Sequence, residues 1–203
     1  SDGEKGYRSA FSHDNEVATP GYYSVRLDDT KIEVSLTVSE RSGMHSYVFP
    51  ENSNQIVILD LEHRDRVLDA ALFSNDNRIV SGYRFSNAWA KDQRLFFDLE
   101  FSRPYTNVTF LNEQTTGSNV KAAFEFDSSI SNSLEVKIGI SPVDKEGAKL
   151  NRVTELRDKS FDQLREEADD VWEKQLNKIV VETYEEEDMY NFYSALYHTM
   201  IAP

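Results

Sequence analysis

No cysteine occurs in the 203 residues. Disulfides, zinc–thiolate centres and thiol nucleophiles are therefore excluded within the sequence. Positive charge is scarce: 22 lysines and arginines face 36 aspartates and glutamates, a formal net charge of −14. A nucleic-acid duplex needs a basic surface that displaces counterions, and an anionic membrane attracts basic segments, so neither partner fits. Neutral sugars do fit, although acidity also simply confers solubility. No run is long and apolar enough to span a bilayer. The opening Ser1-Asp2-Gly3-Glu4-Lys5 is polar, so any export signal is expected upstream of it. There is no glycine-rich phosphate loop and no EF-hand spacing of acids around a central glycine. No internal repeat, low-complexity tract or Ser-His-Asp arrangement stands out, and the sequon Asn107-Val108-Thr109 is a pattern that arises by chance.

What is present is a mainly β pattern. The chain is long enough for one sizeable core, and 39% of it is hydrophobic. Pro20-Gly21 signals a turn before Tyr22 to Leu27. Ile32, Val34, Leu36 and Val38 then alternate with Lys31, Glu33, Ser35 and Thr37, which predicts one buried and one wet face. The mostly apolar run Gln55 to Leu61 reads as a strand in the centre of a sheet. In Arg94 to Phe101, Leu95, Phe97 and Leu99 share one face, and Phe96, Asp98 and Glu100 the other. Further runs at Tyr47 to Phe49, Val67 to Phe73, Arg78 to Ser86, Asn107 to Leu111, Val120 to Phe126 and Leu134 to Ile140 bring the total to roughly ten short strands. Such spacing predicts a large antiparallel sandwich, with no helices between strands to support a parallel sheet.

After Ser141-Pro142 the period changes. Ser160 with Gln163 three residues on is a capping box. Phe161, Leu164, Ala168, Val171, Trp172, Leu176 and Ile179 predict a helix over about 161–180. A second helical pattern starts near Glu185 and carries Met189, Phe192, Tyr193, Leu196, Tyr197 and Met200 as a wide apolar stripe that needs a cover.

Three segments carry a family signature. They are Phe11-Ser12-His13-Asp14-Asn15-Glu16-Val17-Ala18-Thr19-Pro20-Gly21-Tyr22-Tyr23; Gly82-Tyr83-Arg84 continuing to Trp89-Ala90-Lys91-Asp92-Gln93; and Tyr193 through Pro203. With Gly139-Ile140-Ser141-Pro142 and Glu146-Gly147-Ala148, they resemble glycoside hydrolase family 92, calcium-dependent exo-acting α-mannosidases, chiefly bacterial. The resemblance implies an antiparallel β-supersandwich (1–145, lacking its first strands), a helical linker (146–184) and the first helix of an (α/α)6 barrel (185–203). It implies a secreted or periplasmic parent enzyme that hydrolyses mannose-containing glycans with inversion, the partner of this segment being the C-terminal helical domain. The catalytic acid and base, and most calcium ligands, are expected outside this sequence, which is therefore expected to be inactive alone.

His13, Asp14, Asn15 and Glu16 gather polar groups in what reads as one short loop, which would line a sugar pocket or merely order the following turn. Trp89 with Asp92 and Gln93 offers a ring face and polar groups for a sugar, or a tryptophan buried between sheet and linker. His198 would face the pocket or pack as a satisfied residue of an aromatic helix. The candidate substrate-binding set is His13, Glu16, Trp89, Asp92 and His198. The rival readings are a stand-alone carbohydrate-binding module and a purely structural domain.

Overall fold

The structure is a computed structural model that describes residues 8–74 and 76–201. Ser1 to Lys5, Asn75 of the Ser74–Asn77 turn, and the closing Ala202-Pro203 lie outside the described residues. Among the described residues, twelve strands and three helices follow in order. The strands are β1 (Phe11–Thr19), β2 (Tyr22–Leu27), β3 (Glu33–Val38), β4 (Ser42–Val48), β5 (Gln55–Asp60), β6 (Arg66–Ser74), β7 (Ile79–Asn87), β8 (Gln93–Phe101), β9 (Asn107–Phe110), β10 (Thr116–Gly117), β11 (Lys121–Phe126) and β12 (Ser133–Ser141). The helices are α1 (Lys145–Leu156), α2 (Phe161–Leu176) and α3 (Glu186–Ile201).

Nine strands form one sheet in the order β1-β2-β3-β4-β12-β8-β7-β6-β10, and three form a second, β5-β11-β9. Every described pairing is antiparallel. The alternation in β8 shows how the layers are built. Phe97, Leu99 and Phe101 enter the core between the sheets, where the Phe101 ring lies 5.4 Å from Phe124 and 5.0 Å from Phe126. Asp98 and Glu100 point the other way, into α1, whose Arg152 bonds both; Nε to Asp98 Oδ1 is 2.5 Å. Both Arg152 and Asp98 are buried. A buried charge is tolerated only when paired and hydrogen-bonded.

Glycine permits this closeness. A side chain at Gly139 of β12 would put its Cβ 2.2 Å from the Ala148 carbonyl and 2.6 Å from Arg152 N. The segment Gly139-Ile140-Ser141-Pro142 and its sequel Glu146-Gly147-Ala148 are thus a sheet-to-helix seat. Asp144 caps α1 by accepting from Gly147 N at 2.7 Å. The capping box expected at Ser160 and Gln163 is formed, and it starts α2, which ends at Leu176 rather than 180. Met44 of β4 packs with Leu156, Phe161 and Leu164 in a second core beneath the helices. Burying each such side chain is worth about 1.5–3 kcal/mol.

Three expectations change. Strand β5 lies at an edge, with Ile56 44% and Ile58 37% exposed. Its apolar run suits a central strand, but among the described residues only β11 pairs with it. The face of β3 read as wet is covered by α2: Thr37 is buried and donates to the Gly21 carbonyl at 2.9 Å. A helical layer on both-faced sheet residues cannot be read from period two alone. Helix α1 falls within the span read as linker, where no helical pattern had been recognised. The small sheet is narrower than the large one, and a groove of about 640 Å³ remains between the β5 edge and the inner face of β2 to β4, lined by Leu27, Ile32, Val34, Tyr47, Ile56 and Ile58.

Two outcomes are expected. Arg152→Met should strand Asp98 unpaired and cost about 3–5 kcal/mol, read as a lowered denaturation midpoint. His45 Nδ1 lies 2.8 Å from the Tyr47 hydroxyl, and burial pushes the His45 pKa down from 6.5. The unfolded chain then takes up a proton near its ordinary value while the folded chain does not, so stability falls as pH drops below 6.5. Thermal melts at about pH 7.5 and about pH 5.5 should show a smaller loss in His45→Gln than in the parent sequence; an equal loss would assign the effect to other groups.

Candidate functional site

The first signature segment is a strand, not a loop. Thr19 pairs with Tyr22 across Pro20-Gly21, where Gly21 takes φ +80°. A Cβ on Gly21 would lie 2.9 Å from Ala168 Cβ, so the turn sits directly on α2. Farther back the register slips. Phe11 pairs with Leu27 and Glu16 with Val25, so five steps on β1 oppose two on β2. The excess makes a bulge at the sheet's outer edge, a device that re-aims side chains. Edge position explains why a strand this polar survives, since among the described residues one of its sides has no partner strand.

The bulge is tied down by Glu16. Its Oε2 lies 2.6 Å from His13 Nδ1, and its Oε1 accepts from the Tyr23 hydroxyl at 2.6 Å. The Tyr23 hydrogen bond, then that of His13, holds the Glu16 carboxyl below its usual range. The reciprocal effect, led by the same bond to Glu16, raises Tyr23 to about 12. His13 and Glu16, both members of the candidate substrate-binding set, thus touch. Tyr23 was missed as their partner. Reading Pro20-Gly21 as a two-residue turn would have placed Tyr23 opposite Ala18, and so on the face of Glu16.

Helix α3 packs lightly, with no residue fully buried. The Trp172 and Tyr197 rings meet edge to face at 4.8 Å, and the Tyr193 hydroxyl donates to the Ile179 carbonyl at 3.1 Å. Between α3 and the turn lies a cleft of about 570 Å³, lined by Thr19, Pro20, Glu186, Tyr190, Tyr193 and His198 among others. His198 is therefore a lining residue and exposed, not a packed one. Glu186 and Tyr190 were not singled out in the sequence, although their spacing of seven and three residues from Tyr193 puts them on the face it shares with Tyr197. The mix of phenol rings, a carboxylate and an imidazole can stack on a sugar's apolar face and bond its hydroxyls.

Trp89 stands apart. It is 102% exposed at the tip between β7 and β8, which overturns the alternative of a tryptophan buried between sheet and linker. The tip is ordered by Asn87 Nδ2 donating to the Lys91 carbonyl at 2.9 Å and by Arg94 Nη2 donating to Asp92 at 3.1 Å. Registers along the sheet put this tip at the same end as the Pro20-Gly21 turn. From β2 to β8 is four strand steps, about 19 Å at ~4.8 Å each. The structure therefore joins His13 to Glu16 and Asp92 to Arg94, places His198 in the cleft, and leaves Trp89 and Asp92 across the sheet end from it. Among the described residues no three histidines, aspartates or glutamates converge as a metal cage.

Residues 1–141 match the Glycosyl hydrolase family 92 N-terminal domain, and residues 147–203 the Glycosyl hydrolase family 92 catalytic domain. A family GH92 α-mannosidase of Bacteroides thetaiotaomicron is 28% identical, with a TM-score of 0.87 over 98% of this chain and 29% of its own. The same enzyme is known in complex with mannoimidazole, matched over 28% of its length. A family GH92 inverting mannosidase of the same organism is 26% identical, with a TM-score of 0.85 over 96% of this chain and 27% of its own. A bacterial glucoamylase, 11% identical at a TM-score of 0.52, shares the fold alone. No curated protein matches the sequence. The chain thus spans less than a third of these solved relatives. Its sandwich, its helices and the signature segments that seat them agree with both matches, and the chain belongs to glycosyl hydrolase family 92.

Proposed function

We propose that the chain is the N-terminal sandwich and helical link of an exo-acting, inverting α-mannosidase. In this reading it forms one wall of the active site and braces a C-terminal helical domain. The cleft between the Thr19-Pro20 turn and α3 carries the proposal, because it joins sandwich, link and a half-covered helix at one point. The family match supports it, as do the relatives described as an α-mannosidase bound to mannoimidazole and as an inverting mannosidase.

Residues 1–145 then serve as the sandwich, 146–184 as the link and 185–203 as the first helix of the helical domain. The stripe of α3, with Phe192, Leu196 and Met200, would be covered by further helices of that domain. The open groove beside β5 suits added strands of the same sandwich. The acidic surface suits neutral mannose-containing glycans. The parent is a secreted or periplasmic bacterial enzyme on this reading.

Inversion requires one carboxylic acid to protonate the leaving oxygen and a carboxylate to activate water on the opposite face. Neither is assigned to this chain. Its side chains bind and orient: phenol rings of α3 stack on sugar faces, His198 and His13 bond hydroxyls, and Trp89 with Asp92 extends the rim. Calcium belongs to the proposal for the whole enzyme, with ligands drawn mainly from outside these residues, since oxygen cages need several converging donors. None of the roles given to this chain passes through the ion.

A second reading, a carbohydrate-binding module without chemistry, is favoured by the ordered, fully exposed Trp89. Two assays separate them. Full-length protein with calcium should release mannose from α-mannosides, and the 203-residue chain alone should not; release by the chain would overturn its assigned role. In the full-length protein Trp89→Ala should lower kcat/KM about tenfold, about 1.4 kcal/mol, without moving Tm. Binding of the isolated chain to mannan that Trp89→Ala abolishes, with no loss of full-length activity, would favour the module.

A further inference from the structure

The bond from His13 to Glu16 adds little to stability. His13 is 89% exposed and Glu16 20%, and ion pairs near solvent contribute little net stability. Yet four separate features converge to fix this one ring. The bulge lifts residues 12–15 out of register at the sheet edge. The Phe11 ring meets the imidazole edge to face at 5.8 Å and 88°. Glu16 takes Nδ1, and Tyr23 takes the other oxygen of Glu16. Tyr23 sits on β2, paired on both sides by β1 and β3, so the base of the chain of bonds is rigid.

An unconstrained neutral imidazole favours a proton on Nε2. A carboxylate at Nδ1 reverses that preference and leaves Nε2 as an acceptor. A carboxylate on a strand edge would itself rotate freely; the Tyr23 hydroxyl prevents this by occupying Oε1. The arrangement resembles the orienting third group of an acid–base set, but with the last atom turned outward.

We propose that Glu16 and Tyr23 are positioning residues that hold His13 as its Nδ1–H tautomer and aim Nε2 outward to accept a hydrogen bond from a sugar hydroxyl. The proposal rests on the reading of this face as part of a sugar-binding wall. Neutral glycans are the class this acceptor suits, because every ring hydroxyl can donate to it. Tyr23 does not touch substrate; it acts through Glu16 and His13.

A double-mutant cycle on the full-length protein, joined to nitrogen-15 NMR of the His13 ring in the 203-residue chain, tests this. Tyr23→Phe should raise KM and lower kcat/KM about fivefold, but change it less than about twofold in a His13→Ala background. The His13 ring should show the Nδ1–H tautomer in the native sequence and shift towards Nε2–H in Tyr23→Phe. Equal losses in both backgrounds would mean that Tyr23 acts independently, and a native Nε2–H tautomer would overturn the relay. If His13→Ala leaves kcat/KM intact while Trp89→Ala lowers it, the hydroxyl contact falls and the mannosidase reading stands. Full-length protein that releases no mannose would sink that reading instead, and the tautomer would still decide the relay.

Discussion

Arg152 reaches from α1 into the face of the large sheet and ends on Asp98 and Glu100. Two opposite charges taken out of water hold together only while the geometry is kept. That geometry needs α1 pressed against β12, which the absence of a side chain at Gly139 allows. With α1 seated, Leu156 meets Met44, the chain turns at Ser160, and α2 runs back over β2 to β4. The Pro20-Gly21 turn then finds Ala168 beneath it, and α3 follows close enough to leave a cleft. The site is thus the last consequence of a contact made at the middle of the sheet.

The large sheet serves two cores at once. Its inner face packs on β11 through Phe101, Phe124 and Phe126, and its outer face carries the helices. Such a sheet cannot show a simple wet-and-dry alternation. Where the outer face meets a helix, polar side chains find specific partners: buried Thr37 donates to the Gly21 carbonyl, and half-buried Glu155 accepts from Ser39 and Arg41. Where the inner face runs past the small sheet, apolar side chains of β2 to β4 line an open groove. Burial and hydrophobicity part company at these two places because the layers above and below the sheet differ in width.

Polar groups gather where strands end or lose a neighbour. The bulge in β1 lies on an edge, Trp89 on a hairpin tip and His198 on a helix with one covered side. A backbone with partners on both sides has no freedom to project a side chain in this way. The rigid strands inside the sheet supply the fixed reference, as Tyr23 does for Glu16 and His13.

The sequence by itself determined most of the strand runs, though not β1 or β10, together with the antiparallel class, the capped helix after Ser160 and the face division of β8. Local periodicity and turn chemistry are enough for these, since they depend on neighbours a few residues away. The family was legible too, in short segments whose glycines and prolines answer to turns and close approaches. Only the tertiary structure decided that β5 lies on an edge, that the polar side of β3 is covered, that Trp89 is exposed, and that His13, Glu16 and Tyr23 form one chain of bonds. Each depends on what packs from a distant part of the chain: Arg152 lies 54 residues from Asp98, and Tyr23 meets Glu16 only through the register of a hairpin.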